Sequence, residues 1–344
     1  MKSNVPRRAP ASPTTRSGAL PLVAITRTIP TPTGRAPAID GARVKMAPSS
    51  PRLERGELLK FIAGAGAVIT MFHDRVDAEF LDAAGARLRG VCNYAVGIDN
   101  IDVEVCRARG VTVTNTPDAV TEGTANLAWA LILGAARRVG EADRFVRAGN
   151  FVKQGAPAAD TWLGVHLAGQ TLAIIGAGRI GKAVALRGLA FGMRIVYVAR
   201  ERHLDFELAP LCAARMELDD ALAAADVVSL HTPLTAATRG LINARRLRRM
   251  KHTAVLVNTA RGAVIDEAAL VEALKSRRIF AAGLDVFERE PEVNSALYTL
   301  DNVLLTPHIG SAERKWREVM TELVCGNAGK IVRGEKVHSL TPAR

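Results

Sequence analysis

The chain has 344 residues, of which 48% are apolar and 23% charged, so wholesale disorder is excluded. Its length predicts about two domains rather than one. The formal net charge of +12 is concentrated in residues 1–20, which hold four basic and no acidic side chains, and in residues 245–251, which hold five basic ones. We interpret these segments as a disordered basic tail and a solvated helix face. A nucleic-acid partner is not expected, because no known reading module accompanies the charge.

The apolar runs and the cysteines exclude further classes of protein. The longest apolar run, residues 126–136, is shorter than the roughly 20 residues that a membrane-spanning helix needs. The tail lacks the apolar core of a secretory signal. The four cysteines lie far apart and form no C-x-x-C pair, which predicts reduced thiols, no disulfide framework and no metal site. We therefore expect a cytoplasmic protein with no membrane partner.

The first part of the chain alternates short apolar strands with helices. Strands are predicted at residues 22–26 and 67–70, within 87–96, and at 111–117, with helices at 53–65 and 77–85. A long helix follows, with Thr121 as its cap and an apolar period that continues to about Ala148. An irregular stretch at 153–169 separates this part from the next.

The second part shows the same alternation in a more regular form. The predicted strands are 171–176, 194–199, 226–232, 254–260, 281–287 and 302–307, and the first is followed by a helix at 179–192. A final helix covers Glu313 to Arg333. Strands that alternate with helices in this way predict an α/β fold with two Rossmann-like, doubly wound parallel sheets.

A glycine-rich turn joins the strand at 171–176 to the helix that follows. It reads Gly176-Ala177-Gly178-Arg179-Ile180-Gly181, the G-x-G-x-x-G spacing. In this context the first glycine allows a tight turn and the second allows close approach of a pyrophosphate. The third lets the helix pack on the strand while its N-terminus faces the anion. The turn therefore predicts a dinucleotide site that includes Gly176, Gly178, Arg179, Ile180 and Gly181.

The end of the next strand indicates which dinucleotide is bound. Enzymes that use NAD place Asp or Glu there for the ribose 2′-hydroxyl. This chain has Ala199 and Arg200 instead, followed by Glu201 and Arg202. Arginine donors suit a 2′-phosphate. We predict cofactor contacts at Arg200, Glu201 and Arg202, with NADPH preferred and NADH possible; the alternative is that the arginines only solvate a turn.

Three polar residues follow strands of the second sheet: Arg261, Glu290 and His308. The carboxyl edge of a parallel sheet is where such folds bind ligands. Together the three suit hydride transfer to a 2-oxo acid, with the arginine holding the carboxylate, the histidine exchanging the proton and the acid supporting the histidine. Taken singly, each has a structural alternative, as an ion-pair member, a loop charge or a satisfied loop histidine.

Six motifs in order resemble the D-isomer-specific 2-hydroxyacid dehydrogenase family, especially its glyoxylate/hydroxypyruvate reductase branch. They are NYAVGIDNID (93–102), TNTPDAVTEGTANLAWAL (114–131), GAGRIG (176–181), VNTARG (257–262), DVFEREP (285–291) and LLTPHIG (304–310). The resemblance covers about residues 21–335. It implies a cofactor domain inserted into a substrate domain, with residues 21–117 and 309–344 forming the substrate domain and 118–308 the cofactor domain. It also implies a homodimer through the cofactor domains.

The resemblance assigns roles to individual positions. Arg261, Glu290 and His308 fall on the family's catalytic positions, and Val96 and Gly97 fall on the loop whose amides bind the substrate carboxylate. The implied cofactor contacts outside the glycine-rich turn and the Arg200 segment are Thr124, Thr232, Pro233, Thr259, Ala260, Asp285 and Gly310. Glu290 separates the chain from the formate dehydrogenases, which lack this acid. A related branch places a tryptophan in the partner subunit's pocket, and the loose alignment leaves that role open for Trp162.

The predicted activity is the NADPH-dependent reduction of a small 2-oxo acid, glyoxylate or hydroxypyruvate, to the D-2-hydroxy acid. Two alternatives stay open at this point. The same chemistry could act on 2-ketogluconate or a bulkier 2-oxo acid, since residues such as Met71, Phe72 and Tyr94 do not reveal the pocket volume. The protein could instead be a dinucleotide-binding corepressor, because such corepressors share this fold, and the basic surface fits this alternative mildly.

Overall fold

The structure is a computed structural model that describes residues 19–338 and residue 340. The predicted basic tail lies almost entirely outside the described residues. The first sheet has five parallel strands in the order β2-β1-β3-β4-β5. These strands are β1 Leu22–Ile25, β2 Arg43–Met46, β3 Ala65–Thr70, β4 Gly90–Asn93 and β5 Thr112–Thr114.

The second sheet has seven parallel strands in the order β12-β11-β10-β9-β6-β7-β8. Its strands are β6 Thr171–Ile175, β7 Arg194–Val198, β8 Ala214–Arg215, β9 Val227–Leu230, β10 Val255–Asn258, β11 Ala281–Leu284 and β12 Val303–Leu305. The strand order reverses between β6 and β9, which pair with each other. Such a reversal opens a crevice at the carboxyl ends of the two strands, where this class of fold binds ligands.

Helices connect the strands and cover both faces of each sheet. Their bounds are α1 Arg55–Ile62, α2 Ala78–Ala84, α3 Val103–Ala108, α4 Thr121–Ala136, α5 Val139–Arg147, α6 Asn150–Gln154, α7 Arg179–Ala190, α8 Leu204–Glu207, α9 Leu218–Ala224, α10 Ala244–Leu247, α11 Glu267–Lys275 and α12 Arg314–Arg333. Two short 3-10 helices occupy Gly262–Val264 and Ser295–Thr299.

The strands are continuous apolar runs because both of their faces are covered. Every residue of β3, β6, β9, β10 and β11 is buried, as expected for parallel sheets between helical layers. In the second sheet, α4 and α7 pack on one face, and the helices α9 to α11 pack on the other. The core of this unit therefore forms on both sides of its sheet.

The last helix returns to the first sheet. Met320, Val324 and Ile331 of α12 pack against apolar residues of β1, β3 and β4, while α1 to α3 cover the opposite face. The first and last segments of the chain thus build one α/β unit, and the intervening segment builds another. This confirms the predicted fold class of two doubly wound units, one inserted into the other. The division at residues 117/118 and 308/309 stays a prediction.

Three local expectations were wrong. The long helix from Thr121 to about Ala148 is interrupted, because Arg138 adopts a left-handed φ of 54° and separates α4 from α5. Its N-cap is Val120, without a side-chain hydrogen bond, and Thr121 is the first helical residue. Strands β2 and β8 were not predicted: β2 is a partly exposed edge strand and β8 has only two residues, so neither carries a recognisable apolar pattern.

Candidate active site

A cavity of about 570 Å³ lies where the carboxyl ends of the two sheets face each other. The first sheet contributes the loop after β4, and the second contributes the loops after β9, β10, β11 and β12. Among the predicted site residues, those that line the cavity are Val96, Gly97, Thr124, Ile180, Thr232, Pro233, Thr259, Ala260, Arg261, Asp285, His308 and Gly310. The structure therefore brings residues from distant parts of the sequence into one cleft between the two units.

His308 and Glu290 form a close pair at one side of this cleft. The Nδ1 atom of His308 lies 2.7 Å from Glu290 Oε2, and both side chains are about one fifth exposed. The other carboxylate oxygen of Glu290 accepts from the amide of Phe287 at 3.0 Å, which fixes the carboxylate. Since Nδ1 is engaged and His308 lines the cavity, its Nε2 is the ring nitrogen available to a substrate.

The loop that carries His308 is held by a buried carboxylate. Asp285 follows β11, and its oxygens accept from the Thr306 hydroxyl at 2.7 Å and from the amides of Ile309 and Gly310 at 2.8 Å. Burial raises the pKa of Asp285, and these donors oppose that rise. The contacts hold His308 at a φ of 54°, which few residues other than glycine adopt. The cofactor contact of Asp285 stays a prediction, and the structure shows that this residue positions the His308 loop.

An aromatic ring packs on the histidine. The ring centroids of Phe72 and His308 are 4.1 Å apart, and Phe72 meets His73 edge to face at 5.0 Å. Phe72 follows β3, so the unit built on the first sheet supplies this contact. Burial lowers the pKa of His73, which favours a neutral imidazole behind the phenyl ring. The apolar side of the cleft thus limits the directions from which the His308 ring is accessible.

Arg261 also lines the cleft. Its Nε donates to Asp99 Oδ1 at 2.9 Å and its Nη1 donates to the Ala260 carbonyl at 2.8 Å. Asn258 braces the loop, because its amide nitrogen donates to the Arg261 carbonyl. A Cβ atom at Gly97 would lie only 1.7 Å from Arg261 Nη2. Gly97 is therefore required by the close approach of the guanidinium.

The loop at Val96 and Gly97 offers backbone donors beside Arg261. The carbonyl of Val96 accepts from Asn115 Nδ2, and that of Gly97 accepts from Asn93 Nδ2, each at 2.8 Å. Within the described part of the chain, no group accepts from the amides of Val96 and Gly97. Two free amides next to a guanidinium form a suitable site for a carboxylate.

The glycine-rich turn has the geometry that a pyrophosphate requires. A Cβ at Gly176 would collide with the His231 carbonyl at 2.7 Å, and one at Gly181 would lie 2.3 Å from the Gly176 carbonyl oxygen. By contrast, a Cβ at Gly178 would meet nothing within 4 Å. Gly178 caps α7, so the helix N-terminus faces open space at the point where a phosphate is expected. Arg179 lies beside it and pairs with Asp118 at 3.1 Å.

A further polar atom of the cleft lacks a partner within the protein. The Thr259 hydroxyl is buried without a hydrogen bond to any described residue, and Thr259 lines the cavity. Buried polar groups are normally satisfied, so an orphaned hydroxyl here suits a polar ligand. Together with the open space at Gly178, this hydroxyl shows that the residues present fit a dinucleotide.

Three arginines at or beside the end of β7 have different partners. Arg202 forms an ion pair with Glu207, and this guanidinium and the Tyr197 hydroxyl lower the pKa of Glu207 to about 2. Arg215 donates to the carbonyls of Ala199 and Arg200. The exposed Arg200 side chain has no hydrogen-bond or ion-pair partner among the residues described. Arg200 is thus the cation that is free for a ligand at this position, and Glu201 lies exposed beside it.

Several residues of the site were missed in the sequence. Asp99, Asn93 and Asn115 position Arg261 and the loop at Val96 and Gly97, yet they give no signal outside the tertiary structure. Arg215 belongs to the unpredicted strand β8. Arg317 lines the cavity from α12, and helical periodicity alone does not show which charged residue faces the cleft.

Trp162 packs within its own chain. Its ring meets that of Phe145 edge to face at 5.2 Å, and the Arg138 guanidinium lies 5.2 Å from it.

Among the described residues, no helix is long and apolar enough to cross a membrane.

Comparisons with known proteins agree on one family. The family model described as "D-isomer specific 2-hydroxyacid dehydrogenase, NAD binding domain" matches residues 129–310. The glyoxylate reductase of Thermococcus kodakarensis is 48% identical over 316 residues, which are 92% of this chain and 94% of the relative.

Solved structures give the same result. The TT0316 protein of Thermus thermophilus has a TM-score of 0.83 and 44% identity, covering 92% of this chain and 99% of that one. An NADPH-dependent glyoxylate/hydroxypyruvate reductase from Sinorhizobium meliloti, in complex with NADP and malonate, has a TM-score of 0.80 and 32% identity, covering 95% and 99%. Each match spans both units of the fold.

Proposed function

The chain belongs to the D-isomer-specific 2-hydroxyacid dehydrogenase family of NAD(P)-dependent oxidoreductases, and we propose that it reduces glyoxylate and hydroxypyruvate to the corresponding D-2-hydroxy acids with NADPH. The observation that carries this proposal is that one cavity is lined both by His308, which pairs with Glu290, and by Arg261 with two free amides beside it. A proton donor and a carboxylate site in one cavity match the two polar groups of a 2-oxo acid. Relatives named glyoxylate reductase support this substrate class.

In this proposal the amides of Val96 and Gly97 and the Arg261 guanidinium bind the substrate carboxylate. Arginine presents a planar pair of donors that matches a carboxylate, and its charge also polarises the neighbouring carbonyl group. The Asp99 contact at 2.9 Å keeps the guanidinium from turning away. The carbonyl carbon is thereby held in a single orientation, which lowers the entropic cost of reaction.

The proton comes from His308. As negative charge develops on the carbonyl oxygen, Nε2 of the imidazolium donates its proton to that oxygen. Glu290 accepts from Nδ1, which stabilises the cationic ring and fixes its orientation. In the oxidation direction the neutral ring takes the proton back. Phe72 packs on the ring and excludes water from one of its faces.

The glycine-rich turn, the N-terminus of α7 and the residues that line the second sheet's side of the cleft would hold the dinucleotide. The reduced nicotinamide supplies the hydride when it is bound. The Thr259 hydroxyl is available for its polar groups, as are Thr124, Thr232, Pro233, Ala260 and Gly310 at the cavity wall.

The preference for NADPH is part of the proposal and depends on the end of β7. Ala199 removes the carboxylate that would repel a 2′-phosphate, and Arg200 offers an unpaired guanidinium beside it. Arg215 anchors the two backbone carbonyls of this segment, which holds Arg200 in place. In this proposal Arg202 is a weaker contact than Arg200, because Glu207 already engages it.

We also propose that the protein is a homodimer whose cofactor domains, residues 118–308, contact each other. Support comes from the segment that follows α4, where large apolar side chains are exposed to solvent. Val152 is 89% exposed, and the others are Val139, Val146, Phe151 and Leu163. Several large exposed apolar side chains in one segment are typical of a surface that a partner covers.

The test is a set of initial rates with a panel of 2-oxo compounds, each measured with NADPH and with NADH. Glyoxylate and hydroxypyruvate should have the highest kcat/KM, and 2-ketogluconate represents a bulkier substrate. Methylglyoxal, which lacks the carboxylate, should be a poor substrate. Highest activity on 2-ketogluconate would replace the proposed substrate class, and negligible turnover of every compound would favour a dinucleotide-binding corepressor.

A further inference from the structure

The cleft contains a second guanidinium that the chemistry described so far does not use. Arg317, on α12, lines the cavity together with Arg261 and His308. Its Nε donates to the Ser311 carbonyl at 3.1 Å, and its guanidinium lies 5.8 Å from the centre of the Tyr94 ring. These contacts place the charge between the loop that carries His308 and the strand end that leads to Val96 and Gly97.

Contacts fix both the backbone and the guanidinium of Arg317. The Tyr94 hydroxyl donates to the Arg317 carbonyl at 2.6 Å, and the Thr321 hydroxyl donates to the same oxygen at 2.9 Å. At the other end, the Ser311 carbonyl and the Tyr94 ring orient the guanidinium. A side chain held in this way loses little entropy when it binds a ligand.

The other charged groups at the cleft already have partners, since Asp285 accepts three hydrogen bonds from the His308 loop. Asp99 engages Arg261, and Glu290 engages His308. For Arg317, no carboxylate among the described residues lies within ion-pair distance, and Nη1 and Nη2 have no acceptor there. The side chain is only partly exposed, and an unpaired cation in such a place carries a desolvation cost. The two free nitrogens are therefore available to an oxygen atom of a ligand.

We propose that Arg317 is a specificity-determining residue that binds the C3 hydroxyl of hydroxypyruvate. This inference rests on the proposed function. The substrate carboxylate is assigned to Val96, Gly97 and Arg261, and the carbonyl oxygen to His308, so the C3 substituent is the remaining polar group. A hydroxyl oxygen accepts from the guanidinium, whereas the methyl group of pyruvate leaves both nitrogens unsatisfied. Sites built to bond a hydroxyl discriminate strongly against analogues that lack it.

The experiment compares three substrates that differ only at C3: glyoxylate has no C3 carbon, pyruvate has a methyl group and hydroxypyruvate has a hydroxymethyl group. For the wild type, kcat/KM should be higher for hydroxypyruvate than for pyruvate. Arg317→Gln should lower the ratio of these two values by about 10- to 100-fold, the range for a lost charge-assisted hydrogen bond. Arg317→Lys keeps the charge and should recover part of the ratio. Arg314→Gln, on the solvent-exposed side of α12, is the matched control and should keep the wild-type ratio.

The outcomes separate this inference from the proposed function. If Arg317→Gln lowers kcat/KM by the same factor for all three substrates, Arg317 only positions the His308 loop and the inference is wrong. An unchanged ratio in Arg317→Gln, or a wild type that does not prefer hydroxypyruvate over pyruvate, also overturns it while the proposed function stands. A wild type that reduces none of the three overturns both.

Discussion

At the scale of single residues, each functional side chain of the cleft is oriented by a partner from another part of the sequence. Glu290 orients the His308 ring, Asp285 holds the loop at a left-handed φ, and Asp99 orients Arg261. These partners determine the orientation of the functional side chains as well as the charge around them. A substitution that keeps a functional group but loses its partner should therefore impair the reaction.

The first prediction concerns His308 as the proton donor. Replacing it with Asn, which tolerates the φ of 54° better than Ala does, removes the acid with little backbone strain. We expect both His308→Asn and His308→Ala to lower kcat for glyoxylate by more than about 100-fold, the scale of general acid catalysis. Cofactor binding, measured by fluorescence titration, should change much less. His252→Asn is the control, because this histidine lies in the turn before β10, at the amino ends of the strands. Turnover close to that of the wild type in His308→Asn would remove the assignment.

At the scale of elements, the site depends on where parallel strands end. The reversal of strand order between β6 and β9 opens the crevice, and the turn after β6 places the N-terminus of α7 at that crevice. The end of β7 lies next to it and carries Arg200. Each element contributes through its carboxyl end, since all strands of the sheet run in the same direction.

The second prediction concerns the end of β7. Arg200→Ala should raise the KM for NADPH roughly 10- to 150-fold, because a charge-assisted contact is worth about 1.5–3 kcal/mol. The KM for NADH should hardly change, since NADH lacks the 2′-phosphate. The double change Ala199→Asp with Arg200→Ala should favour NADH. Arg194→Ala, at the other end of the same strand, is the control. A wild type that prefers NADH would contradict the prediction.

The third prediction concerns His231, at the end of β9. His231 lies at the cavity wall, its Nε2 lies 2.8 Å from Ser229 Oγ, and burial lowers its pKa to about 3. An unfolded chain has a histidine pKa near 6.5. Below that pH the unfolded state binds a proton that the folded state does not, so stability falls as the pH decreases from about 6.5 towards 3.

His231→Asn removes this proton-linked loss. Urea unfolding of the cofactor-free protein at several values between pH 7 and pH 5 should show a shallower decline for the variant. The difference in slope should approach about 1.4 kcal/mol per pH unit for one proton. Identical slopes for the two proteins would mean that His231 takes up its proton in the folded state as well.

At the scale of the whole molecule, the cleft exists because two α/β units face each other across it. The first sheet supplies the loop at Val96 and Gly97 and also Phe72, and the second supplies Arg261, Glu290 and His308. Helix α12 starts three residues after Ser311 and packs on the first sheet. The short connection between β12 and α12 therefore contains the His308 loop and also leads the chain back to the first sheet.

The fourth prediction concerns the exposed apolar segment. If a second copy of the chain covers it, the double change Phe151→Glu with Val152→Glu should convert a dimer to a monomer in sedimentation equilibrium, because two charges would be buried without partners. Tyr298→Glu, at another exposed aromatic side chain, is the control and should leave the mass unchanged. A wild type that sediments as a monomer would contradict the proposed homodimer.

Much of this protein was determined by the sequence alone. The continuous apolar strands predicted parallel sheets, because only strands covered on both faces can be apolar throughout. The glycine spacing at 176–181 predicted the turn at the β6–α7 junction, since close backbone contacts there leave no room for a Cβ at Gly176 or Gly181. Arg261, Glu290 and His308 were placed at strand ends by the same local patterns.

Only the tertiary structure decided which residues meet. The pairing of Arg261 with Asp99 joins residues 162 positions apart, and no local pattern encodes such a contact. The sequence did not reveal the break between α4 and α5 at Arg138, because the apolar period continues past this residue while the backbone turns at it alone. The engagement of Arg202 by Glu207 and the position of Arg317 in the cleft likewise depend on packing in three dimensions. Local preferences specify the elements, whereas the partners of each charge are set by how those elements pack.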